Sequence, residues 1–419
     1  METGVLVYVD LEGTPCFAGR LWARTRKRRE SASFEYDRSW LERPERFSLE
    51  PALTLGPGPF HARPEKPLFG AIGDSAPDRW GRALMRRAER RRAERAGEAP
   101  RTLREIDYLL RVDDQVRQGA LRFAADAKGP FLAARDATPI PPLIDLPRLL
   151  AAADHVAAES DSDEDLRLLM APGSSLGGTR PKASVIDRDG HLAIAKFPNE
   201  NDPYDTVRWE AVALALAEAA GIPVPGWRVE RVGDRFVLLL RRFDRAGVGR
   251  IPFLSALSML DAVDLETRSY LEFVDALRRY GAAPKEDMHQ LWRRLVFTIL
   301  ISNTDDHLRN HGFLHAGLTG WRLAPAYDLN PVPVDIKPRI LATAIDLEDT
   351  AASLDLAFGV IDSFELAAGE ARAIAGQVGQ AVSRWRAVAR EQGLPEAAID
   401  RMASAFEHPD LAAALAARR

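Results

Sequence analysis

The stretch NTDDHLRNHGFL, Asn303 to Leu314, followed by WRLAPAYDLNP from Trp321 to Pro331, carries polar residues that packing alone does not need. Asp305 and Asn310 stand five residues apart, and Asp328 follows 18 residues after Asn310 with a β-like turn between. Asp306 sits beside Asp305 as a second candidate carboxylate; the five-residue offset to Asn310 favours Asp305. His307, His311 and His315 recur every four residues, a spacing that would line imidazoles along one helical face for a transition metal. Gly312 and Phe313 predict that the chain leaves a helix before His315, and the motif HExxH is not present, so the metal reading is set aside.

The Asp305-to-Asn310 spacing equals that of HRDxxxxN, the catalytic loop of protein kinases. There the Asp accepts a hydroxyl proton, the Asn holds a metal, and a later loop Asp holds Mg²⁺ between phosphates. Phosphoryl transfer requires these groups close together, because positioning and charge neutralisation supply nearly all of the rate.

Three segments upstream add to the pattern. APGSSLGGTRPKASV, 171–185, is a small-residue loop whose glycines let backbone amides approach phosphates and whose Lys182 could neutralise them. It is not GxxxxGK[ST], and a Gly-Ser loop standing alone is more often just a loop. In AIAKFPNE, Lys196 falls among Ile194, Ala195 and Phe197, where a lysine either snorkels to solvent or points into a cleft against phosphates. In DTVRWEAVALALAEAAG, Glu210 either reaches a buried cation such as Lys196 or is a helix-start acid favoured by the dipole.

The rest of the chain bounds the answer. Its 419 residues, 46% hydrophobic and 28% charged, are globular proportions with room for two to four folding units. The longest apolar runs stop short of the ~20 residues a membrane span requires, and the N-terminal METGVLVYVDLEG reads as neither signal peptide nor anchor. Cys16 is the single cysteine, which excludes an internal disulfide framework and a thiolate metal cage. The expectation is a cytoplasmic protein. A net charge of −4 gives no global attraction to nucleic acid.

Residues 1 to about 60 alternate as strands, with a turn at Glu12-Gly13, and PALTLGPGPFHARPEKP reads as a linker or ordered loop. Asp78 N-caps an arginine-rich helix running to about Arg95, read as a solvated face and not as a nucleic-acid patch because Glu89 and Glu94 interleave. Short strands (ASVIDRDG, HLAIAKF, RFVLLL) surround a helix from Thr206 to Ala220 that stops at Gly221. Helical spacing returns over 256–316 and through the Ala-rich tail from Ser363.

Taken in order, the Ser/Gly loop with Lys182, the strand Lys196, the helix Glu210, LLRRFDR at 239–245, NTDDHLRNHGF and APAYDLNP resemble the HipA family of bacterial serine/threonine kinases, toxins of type II toxin–antitoxin modules. The match spans nearly the whole chain. The resemblance implies an α/β (α+β) protein-kinase-like fold of two lobes, with a small β-rich N-terminal subdomain and a mostly helical C-lobe. The implied divisions are 1–135 for the N-terminal subdomain and connecting helices, 136–245 for the N-lobe and hinge, and 246–419 for the C-lobe.

It further implies ATP and Mg²⁺, with Asp305 as base, Asn310 and Asp328 as metal ligands, and Lys196 on the α/β-phosphates, paired with Glu210. Lys182 and its loop would cover the phosphates. The hinge would place backbone groups near Arg242 and Phe243 against adenine and Asp244 against the ribose. Ser175, or Ser174 beside it, would be autophosphorylated and switch the kinase off, since a phosphate adds charge to a loop that must close over ATP. The protein substrate would be an aminoacyl-tRNA synthetase or another translation factor, with growth arrest the consequence. The partner would be a helix-turn-helix, HipB-like antitoxin, with DNA reached only indirectly through it and no membrane involved. Pro181 before Lys182, and AYDLN where eukaryotic kinases have DFG, are departures. The rivals are a small-molecule or lipid kinase on the same scaffold and a catalytically idle binding module or co-repressor.

Overall fold

Val5, Val7 and Val9 are buried and the residues between them half-exposed, the period of two that a strand with one face on a core requires. The structure is a computed structural model that describes residues 2–27, 29–133, 140–170, 178 and 180–417. In it β1 (Glu2–Leu11) pairs antiparallel with β2 (Thr14–Arg26), and β2 with β3 (Arg29–Tyr36). The short β4 (Pro59–His61) and β5 (Leu121–Ala124) complete a sheet of order β4-β3-β2-β1-β5. Glu12 and Gly13 both take positive φ, the geometry of a two-residue hairpin turn whose twist matches the strands. Gly19 is required by close approach: a Cβ there would stand 2.2 Å from the Glu35 carbonyl oxygen. The Pro/Gly-rich stretch is an ordered loop carrying β4, and a short helix, Gly70–Asp74, follows it.

Two compact units divide the chain, Met1–Asn201 with Glu230–Leu254, and Asp202–Val229 with Ser255–Arg419. The first holds the N-terminal sheet and most of a second sheet made of β6 (Lys182–Ile186), β7 (Leu192–Lys196), β8 (Trp227–Val232) and β9 (Arg235–Arg241), in the order β6-β7-β9-β8. Val185, Ala195 and Leu239 of this sheet share a core with Trp80, Leu84, Leu149 and Leu169 from three helices, Arg79–Ala96, Leu146–Ala157 and Asp163–Met170.

Asp78 does cap the arginine-rich helix, its Oδ1 accepting from the Gly81 amide, and Gly97 ends it in the left-handed region. Its arginines are not merely solvated. Arg87 and Arg91 bind the buried Asp161, while Glu89 is buried among Arg92, Arg101 and Arg111 at 2.9, 3.1 and 3.3 Å. Hydrogen bonds from Arg92 and Arg101 hold the Glu89 carboxyl down at about 2.

The second unit is mostly helical. The helix Thr206–Ala219 belongs to it, with Pro284–Leu300 and Ala368–Val382. Its core includes Trp209, Trp385 and Phe406, the last two stacked with centroids 4.6 Å apart. Among the described residues no helix is long and apolar enough to cross a membrane.

Candidate active site

After the helix Pro284–Leu300 the chain is reversed by Ser302, which takes φ 51°, and the Asn303 amide closes back on the Thr298 carbonyl at 3.0 Å. The loop then folds around one oxygen. The Asp305 carbonyl accepts from the His307 amide at 3.0 Å and from the Asn310 carboxamide at 2.8 Å. Asp305 and Asn310, five apart in sequence, are thereby locked together, with the Asp305 side chain exposed and Asn310 buried. Because the Asn310 nitrogen is spent on that bond, its carbonyl oxygen is the end left to serve as a ligand.

The neighbouring carboxylates separate by environment. Asp306 is 3% exposed, accepts from the Tyr270 hydroxyl, and lies 2.8 Å from His311 Nε2; its carbonyl accepts from Thr343 Oγ1 at 2.6 Å. Burial and the Asp306 charge push the Tyr270 hydroxyl well above its ordinary range, so it is a proton donor to Asp306 at any working pH. Burial lowers the nearby Arg294 guanidinium to about 10, and it donates to the Ala324 carbonyl at 2.7 Å. Arg294, Thr298, Asp306, Asn310, His311 and Tyr327 border a cavity of about 10 Å³, close to the size of one water. Tyr270 and Arg294 lie outside the motif stretch and carried no sequence signal; His311 did, and its role is this contact and not metal ligation on a helix. His307 and His311 flank a 3₁₀ turn, Leu308–Asn310, and His315 ends the strand Gly312–His315.

Asp328 arrives from the hairpin Gly312–His315/Trp321–Leu323. Its φ of 60° is the left-handed conformation that Asp tolerates better than bulkier residues. Two bonds tie its segment to the loop 303–310: the Tyr327 hydroxyl donates to the Arg309 carbonyl at 2.9 Å, and the Asn330 amide to Asn303 Oδ1 at 3.4 Å. The structure therefore brings Asp305, Asn310 and Asp328 onto adjoining loops of one unit. Glu210 is buried in the same unit, five residues past its N-cap Asp205, which itself supplies the helix-start acid; the dipole alternative for Glu210 is set aside.

In the first unit β6 and β7 place Lys182 directly opposite Lys196, so both side chains rise on one face of the sheet. The Lys182 Nζ is 2.8 Å from Asp78 Oδ2 with both side chains 3% exposed, a buried ion pair. Lys196 is half-exposed. Ser174 and Ser175 lie outside the described residues.

The expected hinge residues have partners inside the protein. The Asp244 carboxylate is 2% exposed and fully engaged, accepting from Arg242 Nε at 2.6 Å, Arg245 Nη1 at 2.8 Å and the Gly119 amide at 2.8 Å. Burial alone would raise its pKa, but the Arg242 and Arg245 guanidinium groups hold it well below the usual carboxylate range. Arg242 donates in addition to the Val116 carbonyl at 2.9 Å, and its backbone amide is taken by Leu192 O at 3.0 Å. With these bonds Asp244 and Arg242 clamp the segment after β9 to the loop around residues 116–119. Phe243 is half-buried, its ring 6.3 Å from that of Phe253.

Residues 174–386, just over half of the chain, match the family model of the HipA-like C-terminal domain. "Putative kinase Y4mE" of Sinorhizobium fredii is 26% identical over 361 residues, 79% of this chain and 80% of that protein. A Haemophilus influenzae protein given the same kinase designation is 23% identical over 196 residues, 41% of this chain and 57% of its own length. The fold aligns with a chain of the Shewanella oneidensis HipA–HipB–operator DNA complex at a TM-score of 0.65 and 17% identity, covering 99% of this chain and 96% of that one. The order of motifs from the Ser/Gly loop to APAYDLNP thus has its explanation: the chain belongs to the HipA-like family.

Proposed function

We propose that the chain is an ATP- and Mg²⁺-dependent serine/threonine protein kinase of HipA type. The observation that carries this reading is the loop closed around the Asp305 carbonyl, which leaves the Asp305 side chain exposed, holds Asn310 by its nitrogen and is tied through Arg309 to the segment bearing Asp328. A carboxylate oxygen and a carboxamide oxygen are the hard donors Mg²⁺ takes, and the pinned Asn310 nitrogen leaves the oxygen for it. Asn310 and Asp328 would hold the metal, which when bound neutralises charge on the phosphates.

Asp305 accepts the proton of the acceptor hydroxyl as that oxygen bonds to the γ-phosphorus and the bond to ADP breaks. Asp306, Tyr270 and His311 keep the loop from shifting. Lys196 contacts the α/β-phosphates, and the Phe243 segment borders the adenine. Lys182 leaves this set because Asp78 already neutralises it. Ser175 or Ser174 takes the self-inactivating phosphate.

The kinase designation of the Sinorhizobium and Haemophilus relatives supports phosphoryl transfer. The fold shared with the HipA–HipB–operator complex supports a HipB-like helix-turn-helix antitoxin as partner, with operator DNA reached through it. The acceptor is a translation-related protein, and a cytoplasmic site of action follows from that substrate class. Asp305→Asn tests the assignment. Transfer of label from γ-labelled ATP should be abolished and nucleotide affinity kept within about twofold; label transfer at the parent rate would remove Asp305 as the base.

A further inference from the structure

Beyond the kinase reading, and independent of it, the outward face of the N-terminal sheet has a composition that packing does not explain. Along β2, Leu21 and Ala23 point into the core, so Arg20, Trp22, Arg24 and Arg26 stand on the opposite face. Across the turn, Arg26 pairs in register with Arg29, and Lys27 occupies the turn itself. Arg20, Arg24, Arg26, Lys27 and Arg29 are all exposed.

The acids nearby leave this charge standing. Arg24 makes an exposed pair with Glu2 at 3.2 Å, which is weak. Glu35 lies opposite Arg20 in register. Glu30 is turned away, its carboxylate accepting the Glu105 amide at 2.9 Å. Arg20, Arg26, Lys27 and Arg29 have no ion-pair partner among the described residues, in a chain whose net charge is −4. Trp22 stands between Arg20 and Arg24 and opposite Gly4, whose missing side chain gives the indole room: a Cβ on Gly4 would already be 3.6 Å from its Cδ1.

The geometry points to a single-stranded nucleic acid as the ligand of this face. Its phosphates would meet the arginines on alternate positions of β2, spaced ~7 Å along the strand, and an unstacked base would lie on Trp22. An acidic protein would use the cations but has no need of the half-exposed indole among them, and a duplex keeps its bases stacked away from it.

The test is fluorescence anisotropy of a labelled 12-nucleotide oligothymidylate or oligouridylate with the full chain, titrated across salt. The parent should bind at low salt with log K falling against log[salt]. The Arg24→Ala/Arg26→Ala/Arg29→Ala variant should reduce that slope by about 2, at ~0.7 per phosphate, while the corresponding triple Lys variant retains it. Trp22→Ala should weaken binding roughly tenfold and leave the slope unchanged. Absence of oligonucleotide binding at low salt, polyglutamate of equal charge bound as tightly, or variants binding like the parent would each overturn the inference. Kinase activity of the same variants should be unchanged, which separates this result from the fate of the kinase reading.

Discussion

Replacing Asp244 by Asn keeps its size and one acceptor for the Gly119 amide but removes the charge that faces Arg242 and Arg245. The Arg242 side chain is 2% exposed, so the guanidinium left behind cannot recover its loss from water. Breaking one side of a buried ion pair costs roughly 3–5 kcal/mol. For a unit of this size each kcal/mol moves the midpoint by about 2–4 °C, so the N-terminal unit should melt on the order of 10 °C lower. The assay is thermal unfolding followed by circular dichroism, with nucleotide affinity of the folded variant measured by calorimetry well below the new midpoint. The expected result is a large fall in Tm with nearly unchanged ATP affinity. An unchanged Tm with ATP affinity weakened tenfold or more would refute it and return Asp244 to the ribose.

The two lysines that face each other across β6 and β7 should separate in the same way. Lys182→Met strands Asp78 in the core and should cost about 3–5 kcal/mol in denaturant unfolding, most of it restored by adding Asp78→Asn, whereas Lys196→Met should weaken ATP binding. Asp306→Asn should lower kcat about 100-fold with the KM for ATP held, since a loop misplaced by about 1 Å loses that much; equal kcat would remove Asp306 from the positioning role. Burial lowers the His315 imidazole to about 4, so between about pH 6.5 and 4 the unfolded chain takes a proton that the folded one refuses, and stability should rise with pH across that window. His315→Asn should flatten that slope in urea unfolding. Glu89, held at about 2, contributes stability present above its ordinary pKa and lost as pH falls toward 2; Glu89→Gln should remove this acid-side dependence.

What was legible in the sequence was local. The alternation of Val5, Val7 and Val9, the Glu12-Gly13 turn, the Asp78 cap and the helix ahead of Gly221 each depend on residues within a turn or two, and each is found where the pattern puts it. The motif NTDDHLRN likewise closes on itself, through a bond spanning five residues. Partners distant in the chain were not legible. Lys182 meets Asp78 across 104 positions and Asp244 meets Gly119 across 125, and nothing in either neighbourhood marks the other. A lysine near glycines and an aspartate after a strand therefore read as ligand-binding residues, with no sign of the buried partners that the packing gives them. Tyr270 was invisible for the same reason, sitting 36 residues from the carboxylate it serves.

The most direct test of the kinase account is intact-mass measurement with phosphopeptide mapping of the freshly purified, unmodified chain after incubation with ATP and Mg²⁺, beside its Asp328→Ala variant. The account predicts one added phosphate on Ser174 or Ser175 in the parent and none in the variant. A parent that binds ATP yet gains no phosphate would contradict it and leave an idle binding module or a small-molecule kinase on the same scaffold.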